Sequence, residues 1–309
     1  MTCRDETWFW QDRPIRFSRC EGPPGSSESV LLIHGFGANR RHWRHNLMPL
    51  ARQAEVIALD LLGFGLSAKP PSQLGEEPPQ PGSVRYGIDL WAQQVAAAAA
   101  SLLTPGRRLH LIGNSIGAVV ALRAALLLSE AGQPPAQVIL IDCAQRTLDD
   151  KRLAARPAWA QATRPLLKTL VRQRWLINPL FRFVAQPAWI AAVLRQAYPS
   201  GAGIDPELIR LLHEPSQEPG ALESFRGFIN LFDDHLAPDL LAQLTVPVRM
   251  IWGEADPWED VREARHWADT YPCIRELAVL PGVGHCPHDE APEQVNPILE
   301  RWLRDCGRA

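Results

Sequence analysis

The hydrophobic period of the chain changes abruptly around one serine, and that change limits the folds open to it. Leu109 to Ile112 is a short apolar run suited to a buried strand. From Ile116 onward Val119, Val120 and Leu122 are spaced as on a helix. Between the two periods stands Gly113-Asn114-Ser115-Ile116-Gly117, a G-x-S-x-G sequence of the kind that forms a nucleophile elbow. A serine at the tip of a strand-to-helix turn is held in strained backbone angles, and glycines on either side remove the Cβ atoms that would collide with the crossing helix. The turn also sets the hydroxyl at a helix start, where free N–H groups and the helix dipole favour developing negative charge. A glycine-rich junction that merely packs well is the plainer alternative.

The rest of the chain supplies the sheet that such a turn needs. Val30–Ile33, Val56–Asp60, Val138–Ile141, Val246–Trp252 and Arg275–Leu280 read as strands. Trp8–Trp10 and Ile15–Cys20 read as a two-stranded start. Helices are expected over Trp43–Gln53, Tyr86–Leu103, the stretch from the elbow to about Glu130, and Pro292–Arg304. Pro70 to Ser83 carries five prolines and reads as an irregular surface loop. Strands alternating with helices predict an α/β fold, a mainly parallel central sheet with helices on both faces. The alternation stops over 144–239, where the segments look helical. The expected organisation is a core of 1–143 and 240–309 with an inserted helical cap at 144–239.

Within the cap, Lys151 to Ile204 contains nine Lys or Arg and no Asp or Glu. Arg164, Lys168 and Arg172 share one helix face, and Leu167, Leu170, Val171 and Trp175 the other. Such a helix is expected either as a lid with its apolar side on the site and its cations in water, or as a peripheral contact with an anionic membrane. Its apolar stripes suggest a pocket for a greasy substrate.

Composition narrows the partners. A formal net charge of −2 with no strongly basic domain argues against nucleic acid. The six cysteines, Cys3, Cys20, Cys143, Cys273, Cys286 and Cys306, have no C-x-x-C spacing, so neither a zinc site nor a disulfide framework is signalled. A reduced, cytoplasmic chain is expected. The N-terminus is acidic where a signal peptide needs an apolar core. The longest apolar run, Val95 to Leu103, falls well short of the ~20 residues of a spanning helix.

Three loops leaving strands carry candidate chemistry. Ser115 is followed in chain order by Asp256, after Val246–Trp252, and by His285, after Arg275–Leu280. That order fits a Ser-Asp-His triad converging at one sheet edge. His285 would take the serine proton and pass it to the leaving group, while Asp256 would fix the imidazole tautomer. Asp142 is a rival acid because it follows the strand after the elbow; Asp260 and His288 are further rivals. The backbone N–H groups of Ile116 and of Phe36, in His34-Gly35-Phe36-Gly37, are the candidate oxyanion donors, unless His34-Gly35 is only a tight turn. Asp60 reads as a loop-fixing carboxylate, and Cys143 and Cys286 as packing residues.

His34-Gly35-Phe36-Gly37, the run from Asp60 to Ser67, the elbow, Trp252 to Glu259 and Val283 to Pro292 together resemble the α/β-hydrolase superfamily across nearly the whole chain. Asp256 to Glu259 and Gly284 to Pro297 resemble, more narrowly, the pheophytinase and chlorophyll dephytylase group of plants and cyanobacteria. The resemblance implies an α/β-hydrolase fold and hydrolysis of the phytyl ester of a chlorophyll pigment, without a cofactor, beside a thylakoid-type membrane. No cap motif supports the narrower likeness. A general esterase, a carbon-carbon bond hydrolase and a noncatalytic small-molecule receptor of the same architecture stay open. Aspartate-nucleophile relatives are disfavoured because the elbow residue is a serine. Oligomeric state is not legible.

Overall fold

Eight strands make one sheet in the order β1-β2-β4-β3-β5-β6-β7-β8 in the computed structural model, which describes residues 2–75 and 77–306. They are β1 (Cys3–Trp10), β2 (Arg13–Cys20), β3 (Glu28–Ile33), β4 (Glu55–Leu59), β5 (Arg108–Asn114), β6 (Gln137–Ile141), β7 (Val248–Gly253) and β8 (Ile274–Leu280). From β4 to β8 all neighbours are parallel, and β2 runs antiparallel to both β1 and β4. β3, β4 and β6 are buried at every position, as expected of parallel strands covered on both faces.

Two apolar layers enclose the sheet. On one face lie α2 (Ile88–Leu102) and α3 (Ile116–Glu130), whose alanines let the helices approach closely. On the other lie α1 (Leu47–Ala51) and the C-terminal helix Pro292–Asp305, through Leu50, Val295, Leu299 and Trp302. The expected helix over Trp43–Gln53 is instead a 3₁₀ turn, Arg40–Trp43, followed by the short α1. Pro49 explains the break: its missing N–H is tolerated in a first turn but not inside a continuous helix.

Between β6 and β7 the described residues form helices and no strand: α4 (Ala158–Arg172), α5 (Arg174–Val184), α6 (Pro187–Ala197), α7 (Pro206–His213), α8 (Ala221–Ile229) and α9 (Ala237–Leu241). α9 already packs into the core layer through Leu240 and Leu241. The chain then adds α10 (Val261–Thr270), α11 (Pro287–Glu290) and α12, the C-terminal helix already placed.

Two expectations are corrected. Cys3 and Cys20 form a disulfide, because the antiparallel register of β1 and β2 sets them directly opposite each other; linear spacing does not show such pairings. The α4 helix is also turned the other way from the expected lid. Arg164 is its one buried residue, while Leu166, Leu167 and Leu170 are exposed. Asp150, just before the helix, causes the inversion by accepting from Arg164 at 2.9 Å and from Lys168.

Candidate active site

The elbow is built by contacts too close for any side chain but hydrogen. A Cβ on Gly113 would stand 2.3 Å from the Gly117 carbonyl oxygen, and one on Gly117 would stand 2.4 Å from that of His34. Strand β5 and helix α3 therefore cross at backbone contact. Ser115, between them, has φ 55° and ψ −123°, a strained region for a residue with a Cβ. Its backbone is held from two sides: the N–H donates to Ile141 O at 2.9 Å, and the carbonyl accepts from Ala144 N–H at 3.1 Å. Ser115 is half-buried within an otherwise buried stretch.

Asp256 and His285 leave the adjacent strands β7 and β8 at the same end of the sheet. The imidazole Nδ1 lies 2.8 Å from Asp256 Oδ2. The other carboxylate oxygen accepts from the N–H groups of Trp258, at 2.8 Å, and Glu259, at 3.2 Å. Burial pushes the Asp256 carboxyl up, but the hydrogen bond and charge of His285, the Trp258 N–H and Asp142 together hold it below the ordinary carboxylate value. An ionised Asp256 makes Nδ1 the protonated nitrogen and leaves Nε2 free to accept. The serine hydroxyl makes no hydrogen bond among the described residues. Such bonds often close only when a substrate binds.

Asp142 lies behind the pair. One ligand atom each of Asp142, Asp256 and His285 falls within 4.8 Å of the others. That spacing is close enough to chelate a cation, but the facing atoms of His285 and Asp256 already bond each other. Asp142 Oδ1 instead accepts from Gly253 N–H at 3.0 Å. Burial first, and then the Asp256 charge, push the Asp142 carboxyl well above its usual range. Its Oδ2 is buried without a hydrogen-bond partner among the described residues. Asp260 caps α10 and pairs with Arg262, and His288 is buried against Trp43 and His42.

The loop after β3 closes over the serine. A Cβ on Gly35 would come within 3.1 Å of the Ser115 Cβ. Among the described residues neither the Phe36 nor the Ile116 N–H is engaged in a hydrogen bond, and Ile116 is the first residue of α3. His34 fixes this loop: Nε2 accepts from Leu61 N–H at 3.1 Å, so Nδ1–H donates to Gly35 O at 2.7 Å. Asp60 binds the Arg40 N–H and guanidinium and the Leu66 N–H, a loop-fixing arrangement. Phe36 stacks on Phe228 of the insertion at 3.7 Å, with Phe64 and Phe225 beside it. The wall next to the serine is therefore aromatic. Burial pushes the Cys143 and Cys286 thiols up, which leaves them unreactive packing groups.

Several residues that the sequence reading passed over bind these loops together. Asn114, one residue before the serine, donates to His285 O at 3.1 Å, joining the elbow to the histidine loop. Glu290 accepts from Gly284 N–H at 2.6 Å and from Ser200 N–H at 3.0 Å. His285 N–H donates to Ala197 O at 2.8 Å. Asp289 receives Arg44 at 2.8 Å and the Tyr198 hydroxyl at 3.0 Å. The acidic pair after His285 was a signal available in the sequence, but its partners Tyr198 and Ser200 lie far back in the chain, in the insertion.

Residues 30–298 match the alpha/beta hydrolase family. The chain belongs to that family. Within it, this alpha/beta hydrolase is 26% identical to the chloroplastic pheophytinase of Arabidopsis thaliana, over 89% of this chain and 61% of that protein. Among solved structures it superposes on a serine hydrolase involved in carbazole degradation with a TM-score of 0.74 at 17% identity, covering 98% of this chain and 99% of that one. It superposes on a membrane phospholipase A with a TM-score of 0.68 at 24% identity, covering 99% and 87%. At those identities the structural likeness concerns the fold.

Proposed function

We propose that this alpha/beta hydrolase is a serine-dependent carboxylic ester hydrolase acting on a large apolar ester, with the phytyl ester of a chlorophyll-type pigment as the substrate to test first. The observation that carries the reading is the hydrogen-bonded His285–Asp256 pair, tied through Asn114 to the strained Ser115. In this reading His285 Nε2 removes the Ser115 proton as Oγ attacks the ester carbonyl. The oxyanion receives the N–H groups of Ile116 and Phe36. Collapse breaks the bond to the alcohol oxygen, to which His285 returns the proton, and water then repeats the sequence on the acyl-enzyme. Asp256 stabilises the imidazolium between the two transfers. No cofactor enters these steps.

The Phe36, Phe64, Phe225 and Phe228 wall supports an apolar substrate. The likeness to a pheophytinase supports the pigment ester. Purified protein incubated with chlorophyll a and pheophytin a is expected to release chlorophyllide or pheophorbide and phytol, with Ser115→Ala inactive. Cleavage of short p-nitrophenyl esters without pigment products would leave an esterase of other substrates. No turnover of either, with Ser115 still unlabelled by a fluorophosphonate, would remove the serine mechanism.

A further inference from the structure

The insertion presents its greasy side to solvent. Eight of the thirteen exposed large hydrophobic side chains among the described residues lie between Trp159 and Trp189. On α4 the cations face inward, with Arg164 over the Phe232 ring at 4.3 Å and paired with Asp150. Trp159 stands 73% exposed and Leu166 62%. On α5 Trp175 is 71% exposed and Phe183 52%, with Ile177 the single buried residue. Helices α4, α5 and α6 follow one another and pack in sequence. An amphipathic helix whose ion pairs hold its polar face against the protein has no internal cover for the other face, and monomers rarely leave such surfaces bare.

Charge selects the cover. Across Lys151–Ile204 there is no acidic residue; five of its nine cations pair with acids outside the stretch, and Arg182 and Arg195 form no ion pair among the described residues. A second copy docked through a two-fold axis would set the unpaired Arg182 and Arg195 against their own counterparts. An anionic lipid surface meets them with the opposite sign. The exposed Trp159, Trp175 and Trp189 also suit the lipid–water boundary. No single described helix is long and apolar enough to cross a membrane; α5 and α6 are so only as a pair, and they meet at a 73° bend, which suits helices lying along a surface. We infer that the outer face of α4–α6 lies in the headgroup layer of an anionic bilayer. The docking deepens the ester-hydrolase reading, since a lipid-dissolved substrate would be met there, yet it stands on the surface alone.

The test uses the full chain with vesicles of phosphatidylcholine, with and without phosphatidylglycerol. The wild type is expected to sediment with the anionic vesicles and to show a blue-shifted tryptophan emission. Trp159→Ser with Trp175→Ser should weaken partitioning about 10²-fold, from the transfer energy of two large apolar side chains. Arg182→Gln with Arg195→Gln should weaken it about tenfold on anionic vesicles only. Both variants should keep the wild-type melting temperature and its turnover of a soluble short-chain ester. Equal partitioning onto neutral and anionic vesicles overturns the inference, and so does no partitioning, or a solution dimer that the tryptophan variant dissociates. Loss of soluble-ester turnover in the wild type with docking intact would count against the hydrolase reading alone.

Discussion

Replacing Asp142 by asparagine separates the two carboxylates that face His285. Asp142 is fully buried, accepts one N–H from Gly253, and holds its second oxygen beside Asp256 without accepting anything. A protonated Asp142 in that position would donate to the Asp256 carboxylate. The Asp142→Asn side chain would keep both roles, its carbonyl taking the Gly253 N–H and its amide donating to Asp256. We therefore expect kcat/KM within about threefold of wild type, since no hydrogen bond is lost. Asp142→Ala removes a hydrogen bond to a charged group, worth about 1.5–3 kcal/mol, and orphans a buried N–H. The expected loss is about 10- to 10²-fold, with a lower melting temperature. Asp256→Asn takes the acceptor from Nδ1–H and frees the wrong tautomer, for which about 10⁴-fold is the expected loss. The assay is soluble-ester turnover on variants checked for folding by circular dichroism. A loss above about 10²-fold in a well-folded Asp142→Asn would show that Asp142 must be ionised, and the assignment of roles would be reversed.

Gly117→Ala should destabilise the fold by several kcal/mol or prevent expression, because its Cβ would meet two backbone oxygens of the β3 exit at about 2.5 Å; thermal denaturation measures it. Burial, with Asp256 and Glu263 nearby, pushes Glu259 up to about 8. Its folded value is raised, so the native state binds the extra proton and loses stability as pH rises from the ordinary 4.5 through about 8. Glu259→Gln, which keeps an acceptor for Gln145 N–H, should flatten that decline in melting temperature; an unchanged pH profile would refute it. Thiol titration of the denatured, unreduced protein should find four free thiols, from Cys143, Cys273, Cys286 and Cys306. Reducing Cys3–Cys20 should cost up to about 3 kcal/mol in urea denaturation. Glu290→Ala, which frees both Gly284 and Ser200, should lower kcat more than it raises KM for a soluble ester.

The sheet was legible because parallel strands buried on both faces read as unbroken apolar runs, as Val138–Ile141 does. The candidate site loops were legible as loops because the elbow and the two later ones all stand at strand ends. What stayed hidden depends on contacts distant in the chain. Whether Asp142 or Asp256 meets His285 is decided by how β6, β7 and β8 sit side by side, not by either residue's neighbours. The periodicity of α4 separates an apolar from a cationic face, yet only Asp150, outside the helix, determines which one turns inward. The Cys3–Cys20 pairing requires the hairpin register, and the work of Asn114 requires the histidine loop to arrive next to it.

The rung between Ala197 and His285 has a consequence for engineering. The end of α6 is fastened to the histidine loop, and Ser200 and Asp205 secure the stretch that follows. A swinging door hinged at both ends of the insertion would tear the imidazole from its seat. Movement earlier in the insertion, in α4 and α5, would leave that seat undisturbed. Segment exchange between relatives for a new specificity has a natural suture before residue 190; a splice beyond it would carry the anchor of the histidine loop along.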